Sequence, residues 1–352
     1  MAKVIYSSSL WFSDIDKIIN SLPELDNLSG KSIIITGAGG LIGSSVVDIL
    51  IRYNETHDGK VNILAAGRNI NKIRERFKNF SGKDYFTYIN YDTSRVNYIP
   101  PGINYIIHGA SNAYPAIYSL EPVETMTANI TGIKLLLDYA RENNTSKVLY
   151  ISSSEVYGQR AENNTQPFKE NDYGYTDLLN MRNCYAVSKR AAETLITGYK
   201  SEFGVDSSIV RPGHIYGPTA SERDNRVGSA FAYLAARGEN IVMKSDGLQL
   251  RSWCYCLDCA SAILKVLLNG ESVQAYNVPG TILTIREIAE MLASFGGVKL
   301  IRESASESER RVFNPMNNSS LDGTKLESLG WKNLFDAQTG FKHTVEILRA
   351  KI

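Results

Sequence analysis

The sequence is poor in cysteine, in excess charge of either sign and in long apolar runs. Its four cysteines in 352 residues are too few for a disulfide framework. The 38 basic and 37 acidic residues nearly cancel, which leaves no broad positive surface for nucleic acid or an anionic membrane. No apolar run approaches the ~20 residues that cross a bilayer, and the N-terminus has no signal-peptide core. We expect a soluble, cytoplasmic protein without a nucleic-acid or membrane partner.

Three of the cysteines lie close together as C-x-C-x-x-C, at Cys254, Cys256 and Cys259. Three thiolates could begin a zinc or iron–sulfur site, but a fourth ligand and the usual paired spacing are missing. Two of them also sit in an apolar, strand-like run. We therefore predict buried thiols and no metal.

The sequence does contain a regular alternation of apolar strand-like runs and amphipathic helical segments from Lys31 to Arg211. This alternation predicts β–α–β units and a doubly wound parallel sheet, an α/β fold of the Rossmann type. The predicted strands are residues 32–36, 61–66, 84–90, 103–108, 147–152 and 206–211, and the predicted helices are 41–53, 69–80, 124–143 and 184–203.

The first strand runs directly into a glycine-rich stretch, KSIIITGAGGLIG. Gly37, Gly40 and Gly43 are spaced three residues apart across the strand end and the first helical turn. Missing Cβ atoms allow a tight turn, close approach of backbone N–H groups to a pyrophosphate, and close helix–strand packing. The helix N-terminus adds free N–H donors for phosphate. We predict a dinucleotide-binding loop, although a plain tight turn would use glycine in the same way.

The end of the second strand, LAAGRN, bears on which dinucleotide is bound. An NAD-selective fold commonly places Asp or Glu there, against the ribose 2′-hydroxyl. This sequence has no acid at that point and has Arg68 instead. An arginine can accept the 2′-phosphate of NADP, but a solvated arginine at a loop start is equally consistent. The cofactor is therefore expected to be NAD or NADP.

A tyrosine and a lysine, Tyr185 and Lys189 in CYAVSKR, are spaced to share one helix face. A lysine ammonium near the phenol would lower the tyrosine pKa, so that the phenol exchanges a proton near neutral pH. A solvated lysine on an amphipathic helix is the alternative. The serines of SSSEVYG follow the fifth strand, where doubly wound sheets bind ligands, and a hydroxyl there could bind the reacting oxygen.

These motifs together resemble the extended short-chain dehydrogenases/reductases, the nucleotide-sugar epimerase/dehydratase family. TGAGGLIG, HGAS, SSSEVYG, YAVSK, RPGHIYGP and GLQLRSWCY occur in the order typical of that family, and the resemblance extends from about Lys31 to the C-terminus. The chain is most similar to the UDP-glucuronate decarboxylases of the family. The resemblance implies that Ser153 holds the reacting oxygen, that Tyr185 is the general acid or base, and that Lys189 binds the nicotinamide ribose.

Further roles follow from the same resemblance. Glu155 matches the acid used by dehydratases and decarboxylases. Arg251 matches the arginine near the substrate's diphosphate or carboxylate, and Arg226 matches an arginine that contacts the diphosphate. The implied substrate-binding residues are Ser154, His214, Arg226 and Arg251. The predicted cofactor-binding residues are Gly37, Gly40, Leu41, Ile42, Gly43, Arg68, Asp92, Ala110, Ser111, Tyr185, Lys189 and Pro212.

Several of these candidates have a structural alternative. Glu155 could be a buried carboxylate satisfied by backbone N–H groups. His214, which stands where the family usually has Asn, could be a packed histidine, and we favour a structural role for His108. Asn129 either orients the active site or is an exposed polar residue on its helix. Ser154 stands where dehydratases carry Asp, which argues against 4,6-dehydration.

The domain organisation expected from these features has three parts. Residues 1–30 form an N-terminal extension whose helix would begin after Ser13 as N-cap. Residues 31–212, completed by about 257–278, form the dinucleotide-binding domain, and residues 213–256 and 279–352 form a smaller substrate-binding lobe. A polar loop is expected near Ser304–Arg311. In this family, the helices corresponding to 124–143 and 183–203 pair across a homodimer; packing within one subunit is the alternative.

The chemistry that we expect is hydride transfer at a carbon of a nucleotide sugar, with C4 as the expected carbon, in glycan or capsule precursor synthesis. One form is redox-neutral, with bound NAD and a decarboxylase- or epimerase-like outcome. The other is net reduction by NADPH of a nucleotide-linked keto sugar or ketose, which Arg68 favours. A non-catalytic NADP(H) sensor or scaffold is a third possibility, against which intact Ser153, Tyr185 and Lys189 argue.

Overall fold

Seven parallel strands form the largest sheet of this computed structural model, which describes residues 5–160, 165–305 and 316–350. The strands in chain order are β1 (Ser32–Thr36), β2 (Asn62–Gly67), β3 (Phe86–Asn90), β4 (Tyr105–His108), β5 (Lys147–Ile151), β6 (Ser207–Pro212), β7 (His214–Tyr216), β8 (Ile241–Met243), β9 (Leu250–Tyr255), β10 (Ala275–Val278), β11 (Thr281–Thr284), β12 (Leu300–Arg302) and β13 (Asn318–Ser319).

Helices cover the sheet and connect its strands. The α-helices are α1 (Ser9–Asn20), α2 (Leu41–His57), α3 (Ile70–Arg76), α4 (Pro115–Leu120), α5 (Pro122–Asn143), α6 (Cys184–Phe203), α7 (Val227–Arg237), α8 (Cys256–Asn269), α9 (Ile285–Gly296), α10 (Thr324–Glu327) and α11 (Ala337–Arg349). Short 3₁₀ helices span Pro23–Leu28, Lys78–Phe80, Ser154–Tyr157 and Met181–Asn183.

The order of the large sheet is β10-β6-β5-β4-β1-β2-β3. The predicted doubly wound α/β fold is therefore confirmed. The strand order reverses between β1 and β4, whose ends Thr36 and His108 are register partners. In such sheets ligands bind in the crevice outside the carboxyl ends of the strands at this reversal. The strand-end candidates of the sequence lie along that edge.

Two smaller sheets are built mainly from the C-terminal part of the chain. One joins β11, β9 and β13, with β7 paired to β9, and the other pairs β12 with β8. Strand β9 thus brings Arg251 next to the segment that carries His214, because His214 and Trp253 are register partners. The predicted loop at Ser304–Arg311 lies mostly in residues 306–315, outside the described residues.

The N-terminal segment is helical, but the prediction of Ser13 as its N-cap is wrong. Helix α1 begins at Ser9, and the side chain of Ser8 accepts a hydrogen bond from the Trp11 backbone N–H. The earlier start buries Trp11 completely in the core, together with Ile15 on the same helix face. The hydrophobic period, which begins before Ser13, determines where this helix starts.

The cysteines are confirmed as buried, free thiols. Burial raises the pKa of Cys254, Cys256 and Cys259. Across the described ranges, no group of His, Cys, Asp and Glu side chains is arranged to hold a metal ion. Nor is any helix among the described residues long and apolar enough to cross a membrane.

Candidate active site

The glycine loop is shaped by close backbone contacts. Gly37 has φ +74°, and a Cβ there would lie 2.8 Å from the backbone carbon of Gly109. A Cβ on Gly43 would collide with the Gly37 carbonyl. Gly40 is the N-cap of the 17-residue helix α2 and makes no side-chain capping bond. The first-turn N–H groups, at Leu41 and Ile42, thus lack a side-chain cap, which fits a dinucleotide pyrophosphate.

The outer end of the predicted cofactor site lies beside β2 and β3. Gly67 and Asn90 are register partners, so Arg68 and Asp92 follow neighbouring strand ends. The Arg68 side chain is 63% exposed, and its Nη1 lies 3.5 Å from Glu124 Oε1. Such an exposed, loosely paired arginine can turn toward a 2′-phosphate, but it discriminates against neither dinucleotide.

Tyr185 and Lys189 are both buried at the start of α6. Lys189 Nζ donates to the Ile151 carbonyl at 2.8 Å and lies 4.5 Å from the centroid of the Tyr150 ring. Burial lowers the pKa of Lys189 to about 7, and the charge of Glu193 opposes this shift.

The expectation that Lys189 lowers the tyrosine pKa is not met in this structure. Burial raises the pKa of Tyr185, the charge of Glu155 raises it further, and the nearby hydroxyl groups of Ser153 and Ser111 act in the opposite direction. Lys189 Nζ lies 5.7 Å from the centroid of the Tyr185 ring. Tyr185 is therefore a neutral phenol here, held between two hydroxyl groups.

Glu155 has two partners that the sequence did not reveal. Arg182 Nη1 donates to Glu155 Oε2 at 3.1 Å, and the Tyr118 hydroxyl donates to Oε1 at 3.2 Å. The Tyr118 ring stacks on Tyr185 with centroids 5.2 Å apart, and the Arg182 guanidinium lies 4.9 Å from the centroid of the Tyr118 ring. The alternative that only backbone N–H groups satisfy Glu155 is wrong.

A second serine, Ser111, is connected to helix α6 by hydrogen bonds through Asn129. Ser111 Oγ donates to Asn129 Oδ1 at 2.7 Å, and Asn129 Nδ2 donates to Ser188 Oγ at 2.9 Å. Asn129 is 1% exposed, so the alternative of an exposed helix residue is wrong. Ser111 follows Ala110, whose N–H lies 3.3 Å from Thr36 Oγ1. Asn129 thereby links Ser111 to Ser188 on the helix that carries Tyr185.

The two histidines near the strand ends both stay neutral, although only His108 is fully buried and His214 is partly exposed. His108 Nδ1 lies 2.7 Å from Thr36 Oγ1, and burial lowers the pKa of His108 to about 3. Burial and then the charges of Arg251 and Arg226 lower the pKa of His214 to about 3. The His108 contact is that of a structural residue, as favoured from the sequence, whereas His214 Nδ1 is buried without a hydrogen-bond partner.

Arginines dominate the other wall of the site. Arg226 forms a bidentate pair with Asp224, with Nη2–Oδ2 at 2.5 Å. Arg251 is only 3% exposed, and its Nη1 donates to the Leu250 carbonyl at 2.8 Å. No carboxylate among the described residues forms an ion pair with Arg251, and burial lowers its pKa to about 10.

The structure places most of the predicted residues along one sheet edge. Ser153 begins the 3₁₀ helix after β5, Ser154 is buried in its first turn, and Pro212 ends β6. Tyr118, Arg182 and Asp224 were missed. Arg182 precedes Tyr185 by three residues, and helical spacing could have indicated it. Tyr118 lies in the segment after β4, and its spacing to Tyr185 and Glu155 in the sequence gives no sign that they are in contact.

Fold and site together define a dinucleotide-dependent enzyme of the extended short-chain dehydrogenase/reductase class. Residues 33–279 match the NAD dependent epimerase/dehydratase family, and the chain belongs to that family.

Similar proteins act on nucleotide sugars. UDP-glucuronic acid decarboxylase 6 of Arabidopsis thaliana is 28% identical over 329 residues, covering 92% of this chain and 90% of that protein. The UDP-glucose 4-epimerase of Thermotoga maritima, solved with UDP-glucose, has a TM-score of 0.76 at 22% identity and covers 91% of this chain and 99% of that one. A Bacillus cereus UDP-glucuronic acid 4-epimerase, solved with UDP-glucuronic acid and NAD, has a TM-score of 0.76 at 19% identity. The match covers 91% of this chain and 100% of that one.

Proposed function

We propose that this enzyme modifies a nucleotide sugar at C4 by reversible hydride transfer to a retained NAD, with a decarboxylase- or epimerase-like outcome. The observation that carries the proposal is the placement of Tyr185, which is buried one helical turn before Lys189 with its ring stacked on Tyr118, at the carboxyl edge of the sheet. Bound at the glycine loop, the dinucleotide would supply the hydride acceptor and donor. The protein then has to bind the sugar, hold its reacting oxygen and move one proton.

Tyr185 and Ser153 are assigned to that oxygen. Ser153 donates a hydrogen bond to it, while Tyr185 takes up or returns the hydroxyl proton. The neutral phenol of the structure is the proton-donating form, so the forward step requires a phenolate. A protonated Lys189 at 5.7 Å from the ring centroid is the cation that would stabilise it.

The charges around the site favour an anionic substrate. Arg182 and Arg226 are paired with Glu155 and Asp224, whereas Arg251 is buried without an ion pair among the described residues. Burying an unpaired cation is costly, and a substrate diphosphate or carboxylate at Arg251 would offset that cost. A uridine diphosphate sugar carrying a uronate is therefore the first substrate to test.

The test is product analysis after incubation with UDP-glucuronate. We expect either loss of CO₂ from the sugar or an isomer of unchanged mass, without net NADH formation. Tyr185→Phe is the matched variant, since it removes one hydroxyl from a stacked, buried ring. Retained turnover in Tyr185→Phe would exclude this mechanism. A protein that binds dinucleotide but turns over no nucleotide sugar would indicate a sensor or scaffold.

A second candidate is net reduction of a nucleotide-linked keto sugar or ketose by NADPH. The observation that favours it is the β2 end, where Gly67 is followed by the exposed Arg68 and no acid. The dinucleotide released on denaturing protein purified without added cofactor separates the two. Stoichiometric NAD⁺ or NADH supports the redox-neutral function, whereas NADP(H) or empty protein supports the reductase.

We also propose that the protein is a cytoplasmic homodimer whose subunits pair through α5 and α6. In each subunit, residues 31–212 would bind the dinucleotide and the C-terminal lobe would bind the sugar. The enzyme would act in glycan or capsule precursor synthesis. The two helices lie side by side, and apolar side chains near their N-termini are exposed. These are Leu120, Val123, Leu178, Leu179 and Met181. Light scattering on the eluting protein tests the dimer: a mass of 39.0 kDa, that of one chain, would contradict it.

A further inference from the structure

Glu193 lies on α6 one helical turn after Lys189 and contacts two strands of the sheet. Its Oε1 accepts hydrogen bonds from Ser152 Oγ at 2.6 Å and from Arg211 Nε at 3.0 Å. Its Oε2 accepts from Arg211 Nη2 at 2.6 Å. The carboxylate is 11% exposed and the arginine 3%. Three donors from β6 and the end of β5 thus meet on one buried carboxylate.

Ser152 is the residue through which this contact reaches the site. It lies between Ile151, whose carbonyl accepts a hydrogen bond from the Lys189 ammonium, and Ser153, whose hydroxyl affects the pKa of Tyr185. The Ser152 N–H also donates to the Val210 carbonyl at 2.8 Å. Because both the backbone N–H and the side chain of Ser152 are hydrogen-bonded, the direction in which the chain leaves β5 is fixed. Small displacements of positioned groups are costly for catalysis.

Lys189 has neutral groups around its ammonium. They are the Ile151 carbonyl, the rings of Tyr150 and Tyr185, and His108, whose own pKa is lowered to about 3. A buried cation without a counter-charge tends to lose its proton. Among the described residues, the charge of Glu193 raises the pKa of Lys189 against the effect of burial.

We propose that Glu193 is a positioning residue that fixes Ser152 against α6 and that its carboxylate, shared with Arg211, places negative charge one helical turn from the buried Lys189 ammonium. The inference rests on the proposed function, in which Lys189 and Ser153 act. It assigns to Glu193 two separable effects, one geometric through Ser152 and one electrostatic on Lys189. Arg211 anchors the carboxylate and is itself held by the Tyr157 hydroxyl at 3.1 Å and the Glu170 carbonyl at 2.8 Å.

Two substitutions separate these effects. Glu193→Gln removes the charge with little change in shape, and Ser152→Ala removes the hydroxyl but leaves the charge. Glu202→Gln, on the exposed surface of the same helix, is the matched control. The readouts are NAD⁺ and NADH binding by fluorescence between pH 6 and 10, which needs no sugar substrate, and kcat and KM with the nucleotide sugar.

In Glu193→Gln we expect the alkaline limb of cofactor binding and of kcat to move about one pH unit lower, because Lys189 then loses its proton more readily. We also expect kcat to fall by ~10-fold or more, with a smaller change in KM. Ser152→Ala should lower kcat several-fold without moving the limb. Glu202→Gln should match the wild type.

An alkaline limb in Glu193→Gln that coincides with that of Glu202→Gln would overturn the inference. If Glu193→Gln does not fold, Glu193→Asp provides the test. Aspartate keeps the charge but has a shorter side chain, so we expect a lower kcat and an alkaline limb at the wild-type pH. A shifted alkaline limb in Glu193→Asp would overturn the inference. Should the wild type turn over no nucleotide sugar, the proposed function fails, while the pH dependence of cofactor binding still decides the role of Glu193.

Discussion

The ring of Tyr118 lies nearly flat against that of Tyr185, with centroids 5.2 Å apart and 11° between the planes. Its hydroxyl reaches Glu155 Oε1 at 3.2 Å, and the ring is 1% exposed. One side chain from α4 therefore contacts both the proton-transferring tyrosine and the carboxylate beside it. Helix α4 is part of the site, although Tyr118 was not among the residues predicted for it.

Removing the Tyr118 ring should misplace Tyr185. Tyr118→Ala deletes the stacked surface and the hydrogen bond, and we expect kcat to fall by ~100-fold because the phenol loses its fixed orientation. Tyr118→Phe keeps the stack and should cost only ~3- to 10-fold. Steady-state kinetics on both variants checks this, and equal activities would mean that the stack does not position Tyr185.

The Glu155–Arg182 pair should be strongly coupled in stability. Their side chains are only 20% and 11% exposed, so removing one partner leaves the other poorly solvated. A double-mutant cycle with Glu155→Gln and Arg182→Met, read by urea unfolding, should give a coupling free energy of about 1–3 kcal/mol. The control pair Lys134–Asp138 is 54% and 26% exposed and should couple by less than about 0.5 kcal/mol. Equal coupling in the two pairs would contradict the burial argument.

His214 should make the protein less stable as the pH falls. Its pKa in the folded protein is lowered from the usual 6.5 to about 3, so below pH 6.5 the unfolded chain takes up a proton that the folded chain does not. Stability is therefore lost between pH 6.5 and 3. In His214→Asn the decline from pH 7 to 5 should be smaller by up to about 2 kcal/mol. Urea unfolding at both pH values measures it, and parallel declines would show that His214 titrates normally.

Gly43→Ala should abolish dinucleotide binding. The new Cβ would collide with the carbonyl of Gly37, which cannot move away easily because Gly37 has φ +74° and leaves no room for even a Cβ of its own beside Gly109. We expect a loss of affinity of ~100-fold or more, measured by NADH fluorescence. Gly198→Ala is the control, since nothing lies within 4 Å of its Cβ position on α6, and it should stabilise by about 0.5–1 kcal/mol. Normal affinity in Gly43→Ala would show that the loop does not bind the phosphates.

Local patterns predicted the sheet, the glycine loop and the Tyr185–Lys189 helix, because strand periods, glycine spacing and helical spacing each act within a few residues. The contacts that shape the site were not predictable in this way. Glu155 meets Arg182 across 27 residues and Tyr118 across 37, and Asn129 meets Ser188 across 59. Such contacts depend on how α4, α5 and α6 pack together. The expectation of a lowered pKa for Tyr185 was wrong. Burial raises this pKa, and the burial of a side chain cannot be read from sequence spacing.

The most direct test of the central claim is rapid mixing of the NAD-loaded protein with UDP-glucuronate, followed at 340 nm and by mass spectrometry of the sugar. The account predicts a transient rise in absorbance that decays as product forms, and no transient in Tyr185→Phe. UDP-glucose, UDP-N-acetylglucosamine and dTDP-glucose extend the panel. No transient and no product with any of them, or turnover of Tyr185→Phe at the wild-type rate, would contradict the claim that Tyr185 drives hydride transfer at a nucleotide sugar.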